Sequence, residues 1–70
     1  MKARYKLEIE RLYLQLYPLL FEYARSSLSS DSLAEEAVQD TFRIACQKPE
    51  AMINSPNPEG WIMNTLKNVL

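Results

Sequence analysis

The sequence predicts an all-α fold, a small bundle of three helices, on three observations. There is one glycine in 70 residues, too few for the tight turns that a small sheet protein needs. Val, Ile and Thr total eight, whereas Leu, Ala, Glu, Gln, Lys and Arg abound. Apolar residues recur at helical spacing in three separate stretches. At 47% apolar and 24% charged, the chain fits one ordinary globular domain, with a core that is marginal unless its helices pack efficiently.

The first helix is expected from about Tyr5 to Leu28. Leu12, Leu16, Leu19, Leu20 and Tyr23 form an apolar strip, widened by Tyr13, Tyr17, Ala24 and Leu28. Arg11, Gln15, Glu22 and Arg25 gather on the remaining side. An apolar arc this wide implies a central helix touched from two sides. Pro18 lacks an N–H and presses on the carbonyl of Leu14, so a kink or short break is expected there.

Ser29-Ser30-Asp31-Ser32 separates the first two helices, with Ser32 and Glu35 at capping-box spacing and Asp31 as an equal candidate for the N-cap. The second helix, Leu33 to about Gln47, divides cleanly. Leu33, Ala34, Ala37, Val38, Thr41, Phe42, Ile44 and Ala45 lie on one side, and Glu35, Glu36, Gln39, Asp40, Arg43 and Gln47 on the other, with Cys46 at the border. Lys48 to Asn57 reads as a loop in which Pro49 and Pro56 exclude regular structure and Met52-Ile53 tuck inward. Asn57-Pro58 is a strong helix start. The third helix, Pro58 to Leu70, buries Ile62, Met63, Leu66, Val69 and Leu70, with Trp61, Asn64, Thr65, Lys67 and Asn68 on its other side. Its pattern is still strong at Leu70, with no glycine cap, so it reads as cut short.

Composition excludes most enzyme chemistry. Without histidine there is no imidazole base, no Ser-His or Cys-His pair and no His-ligated metal. One cysteine, Cys46, can make neither an internal disulfide nor a Cys-x-x-Cys zinc site, and it reads as an inert, half-buried thiol. No cofactor and no metal are expected. The apolar run at Leu19 to Phe21 is far too short to cross a bilayer, and the basic start Met1-Lys2-Ala3-Arg4 lacks the apolar core of a signal peptide. A cytoplasmic protein without membrane contact is the expectation.

Net charge is -1, which argues against a basic nucleic-acid glove. The sign is unevenly spread: +2 over residues 1–28, -3 over residues 29–50 and zero thereafter. The middle helix is the acidic element. A solvated surface is the bland account of Glu36, Gln39, Asp40 and Arg43; a docking face for a basic helix is the sharper one. On the third helix Asn64, Lys67 and Asn68 can contact bases and phosphates, although a Trp such as Trp61 one turn into a helix is usually a core anchor.

Ala34-Glu35-Glu36-Ala37-Val38-Gln39-Asp40-Thr41-Phe42 closely resembles the A-E-D-x-x-Q-[ED]-T-F segment of bacterial RNA polymerase sigma factors of the extracytoplasmic-function type. Leu16-Tyr17-Pro18-Leu19-Leu20 with Tyr23-Ala24-Arg25 is similar to the first helix of their region two, and Trp61-Ile62 followed by Asn68 fits their W-[LI]-x-x-x-x-x-N spacing. The likeness spans roughly residues 10–70.

The resemblance implies a non-catalytic transcription initiation module that docks on core RNA polymerase and helps recognise and melt the minus-ten promoter element. Glu36, Gln39 and Asp40 would meet the clamp coiled coil of the largest polymerase subunit, with Glu35 and Arg43 at the edge. Asn68 would face a flipped-out base, Lys67 would favour phosphate, and Asn54 and Asn57 would border the base pocket, with Asn64 nearby. Promoter DNA is then a partner of the full-length protein, and an anti-sigma factor is a further partner to consider. Met63 and Asn64 stand where the family has an aromatic and basic residues, so phosphate contacts are thinner and polymerase docking is expected to outlast DNA binding in residues 1–70. The competing reading is a helical protein-interaction or dimerisation module that does not bind DNA.

Overall fold

The computed structural model describes residues 3–70; Met1 and Lys2, part of the start read against a leader peptide, lie outside the described residues. The described residues form four helices and no strand: α1 (Ala3–Leu28), α2 (Asp31–Gln47), α3 (Pro49–Ile53) and α4 (Pro58–Val69). The all-α bundle is as expected. The count is not three but four, because the segment read as a loop contains a helical turn and a half. Proline at the first helical position is favourable, since that N–H has no intrahelical partner. Pro49 occupies that position in α3, Glu50 sits in the first turn, and Asn54 closes the helix. Met52 is fully buried and Ile53 half-buried, so the expected inward plug exists, carried by helix.

α1 runs without interruption through Pro18, so the short break does not occur. Pro18 and Leu14 both lie on the solvent side, where water can take the carbonyl that proline leaves unpaired. The buried positions of α1 are Tyr5, Ile9, Leu12, Leu16, Leu20 and Ala24, a repeat close to every four residues. Leu19 and Tyr23, expected in the apolar strip, are 59% and 40% exposed instead. α1 packs against α2, α3 and α4, so it is touched from more than one side, as each of the other helices is.

α1 ends at Ser29, whose φ of 56° is the left-handed conformation usually given to glycine. Its N–H donates to the Arg25 carbonyl at 2.7 Å. The N-cap of α2 is then Ser30, not Ser32 or Asp31: its Oγ accepts from the Leu33 N–H at 3.3 Å. Arg25 Nε donates to Asp31 Oδ1 at 2.6 Å, tying the two helices across the turn. Such a cap is worth about 1 kcal/mol.

Three contacts set the directions of the helices. Arg25 reaches Asp31 at the start of α2, so α1 and α2 are antiparallel neighbours joined by a short turn. Gln15 of α1 donates to Glu59 in the first turn of α4 at 3.3 Å, while Lys67 in its last turn lies over Tyr23. α4 therefore runs parallel to α1. The core joins Leu12, Leu16 and Leu20 of α1 to Val38 and Phe42 of α2, Met52 of α3, and Ile62 and Leu66 of α4. Burying each such side chain contributes about 1.5–3 kcal/mol. Thr41, also fully buried, satisfies its hydroxyl by donating to the Ala37 carbonyl at 2.9 Å. Leu33 and Leu70, expected in the core, are 50% and 39% exposed because each lies in a terminal turn with packing on one side only.

Candidate functional site

The amphipathic division of α2 decides where its polar side chains go. Ala34, Ala37, Val38, Thr41, Phe42 and Ala45 face the core. The opposite side carries Glu35, Glu36, Gln39 and Arg43, all exposed, with Asp40 half-buried beside them. Two local pairs order this side. Gln39 Nε2 donates to Glu35 Oε1 at 3.3 Å, and Arg43 Nη2 donates to Asp40 Oδ1 at 2.7 Å. Glu36 has no side-chain hydrogen bond among the described residues, and with Asp40 it borders a cleft of about 170 Å³ that includes Leu33 and Leu70. All five α2 residues thus lie on one accessible surface.

Beside it runs a row of rings. Phe42 meets Tyr13 edge-to-face with centroids 4.9 Å apart, Tyr13 meets Tyr17 at 5.4 Å, and Tyr17 stacks on Phe21 at 5.9 Å. Burial, and then the negative charge of Glu35, hold the Tyr17 hydroxyl above its ordinary pKa. Cys46, expected to be half-buried, is exposed at the end of this row.

α4 offers a different surface. Asn57 caps it: Oδ1 accepts from the Gly60 N–H at 3.2 Å. A Cβ on Gly60 would stand 2.6 Å from Asn57 Nδ2, so glycine leaves the room that the cap needs. Asn64 and Asn68, one turn apart, are exposed on a groove of about 400 Å³ between α4 and the end of α2. The half-buried Trp61, Thr65, Ile44 and Val69 complete it together with the exposed Lys48. Trp61 packs against the core, as an anchor does, and the rest of its side chain borders the groove.

The five residues expected to face DNA are not brought together. Asn64 and Asn68 share the groove. Lys67 lies about 100° further round the helix than Asn68, and its ammonium sits 5.7 Å from the centre of the Tyr23 ring. Asn57 is engaged in its cap, and Asn54 lies near Arg4 and Tyr5 at the far end of α4. Lys48 is the groove residue that sequence reasoning missed. Its signal in the sequence is its place directly after α2, where Pro49 masks the continuation into helix.

Among the described residues no group of three or more His, Cys, Asp or Glu side chains could hold a metal ion. Among the same residues no helix is long and apolar enough to cross a membrane. Residues 12–70 match the family described as Sigma-70 region 2. No curated protein and no solved structure matches. The family match takes in α2, α3 and α4 entirely and most of α1, including every candidate residue above. The chain belongs to the sigma-70 region 2 family, a non-catalytic transcription module that binds RNA polymerase and serves in promoter recognition.

Proposed function

We propose that the chain is the region-two module of an extracytoplasmic-function sigma factor, and that the outer side of α2 grips the clamp coiled coil of the largest polymerase subunit. One observation carries this reading: Glu35, Glu36, Gln39, Asp40 and Arg43 lie together on an accessible surface rather than inside the bundle. The carboxylates attract a basic helix, and the Gln39 amide can both donate to it and accept from it. Glu36 is free of such bonds among the described residues, whereas the local pairs Glu35–Gln39 and Asp40–Arg43 have to be shared or opened on docking.

On the same reading, the outer side of α4 meets the unpaired minus-ten strand, with Asn68 facing an extruded base and Asn64 beside it. Unpaired bases expose edges that an amide can read. Lys67 and Asn57 are less available than the resemblance implies, since each already has a partner within the bundle. An anti-sigma factor would compete for the α2 surface, and the site of action is the cytoplasm.

Binding of the chain to the isolated clamp coiled coil tests the docking face. Asp40→Lys should weaken binding by about 2 kcal/mol or more, roughly thirtyfold, and Gln39→Ala by about 1 kcal/mol. Unchanged affinity in both variants removes the assignment. The second reading, a dimerisation module, is favoured by Leu7 and Leu14, which are 66% and 76% exposed. A self-associating wild type that Leu14→Glu renders monomeric would support it.

A further inference from the structure

We propose that Lys48 supplies the phosphate contact for a single DNA strand held in the groove between the end of α2 and α4. The proposal rests on the reading that the outer side of α4 takes single-stranded DNA. Partnering of the cations singles this residue out. Arg11 is bound to Glu8, Arg25 to Asp31 and Arg43 to Asp40. Arg4 lies over the Tyr5 ring and Lys67 over Tyr23. Among the described Lys and Arg residues, only Lys6 and Lys48 have neither a carboxylate nor a ring against them. Of these two, Lys48 alone borders the groove of Asn64, Asn68 and Trp61.

Its backbone is fixed. The Lys48 N–H donates to the Ile44 and Ala45 carbonyls at 3.0 and 3.2 Å, and its carbonyl accepts from the Met52 N–H at 3.2 Å. The fully buried Met52 anchors that last bond in the core. A solvated ammonium thus projects from a rigid junction beside two side-chain amides. The amides suit base edges, and the ammonium, a point charge without fixed bond directions, suits a phosphodiester. Lys67 faces α1 and would have to leave Tyr23 to serve the same strand.

The test is titration of the isotope-labelled full chain with a short single-stranded oligodeoxynucleotide, followed by amide resonance shifts at several salt concentrations. Lys48→Gln should weaken binding severalfold whatever the base sequence, and reduce the log–log salt slope by about 0.7. Lys48→Arg should restore both, and Lys6→Gln should change neither. Unchanged affinity and slope in Lys48→Gln, with the Asn64 and Asn68 shifts retained, overturns the Lys48 assignment alone. A larger loss in Lys67→Gln than in Lys48→Gln overturns it equally. If millimolar oligonucleotide shifts neither Asn64 nor Asn68, the reading of the α4 surface falls with it.

Discussion

The outer side of α2 is a convex row of carboxylates, an amide and a guanidinium, ordered by pairing among themselves. That of α4 is a concave groove with two uncharged amides, half a tryptophan and one unpaired ammonium. Both helices bury side chains in the one core, a long row on α2 and Ile62 and Leu66 on α4, while their outer sides differ in chemistry. A row of charges suits a charged protein rod met at long range; amides lining a groove suit short-range recognition of a planar group. The two helices divide labour by chemistry while sharing one core.

The strongest way to separate the two surfaces is to remove what supports only one of them. Met52 is the buried residue of α3, and its N–H donates to the Lys48 carbonyl. Met52→Ala should cost about 2–5 kcal/mol in a denaturant titration. If the comparison is right, the surviving folded fraction loses oligonucleotide binding before clamp binding. Asn68→Ala sharpens the contrast: base discrimination should fall by about 1–3 kcal/mol while clamp affinity stays the same. Added salt should weaken both contacts, clamp docking through screening and strand binding through counterion release.

Asn57→Ala addresses the cap of α4. It should cost about 1 kcal/mol of stability, read from the unfolding midpoint, and leave α2 docking untouched. A larger loss would mean that the cap also organises the loop before it.

The smallest expected effect concerns the ring row beside α2. Burial and the Glu35 charge raise the Tyr17 pKa, so the folded state keeps the hydroxyl neutral to higher pH than the unfolded chain does. The resulting stabilisation is fully present below about pH 10 and is lost as pH rises through the raised value. Tyr17→Phe should abolish this alkaline loss in melting curves, and Glu35→Gln should diminish it.

Much of this was legible in the chain itself. The stripes of α2 and α4 are regular enough that Val38, Phe42, Ile62 and Leu66 fall in the core as read. The exposure of Gln39 and its neighbours follows from the same periodicity. Among the features that differ from the pattern, three show how tertiary packing or local chemistry competes with it. Leu19 and Tyr23 belong to the apolar arc of α1, yet its neighbours cover only part of that arc. Pro49 looks like a breaker in the sequence, yet at a first helical position it starts α3. Lys67 shares its outer side with Asn64 and Asn68 on a wheel, and only the position of Tyr23 reveals that its charge is drawn toward α1.

Only Ser29 and Ser30 separate α1 from α2, and an arginine–aspartate latch spans them. A helical hairpin with so brief a connection closes at small entropic expense, whereas α4 must return across a longer stretch of chain to lie alongside α1. The acidic ridge should therefore mature ahead of the amide-lined hollow during folding. Transition-state analysis with Val38→Ala and Ile62→Ala would express this as a higher φ-value at Val38.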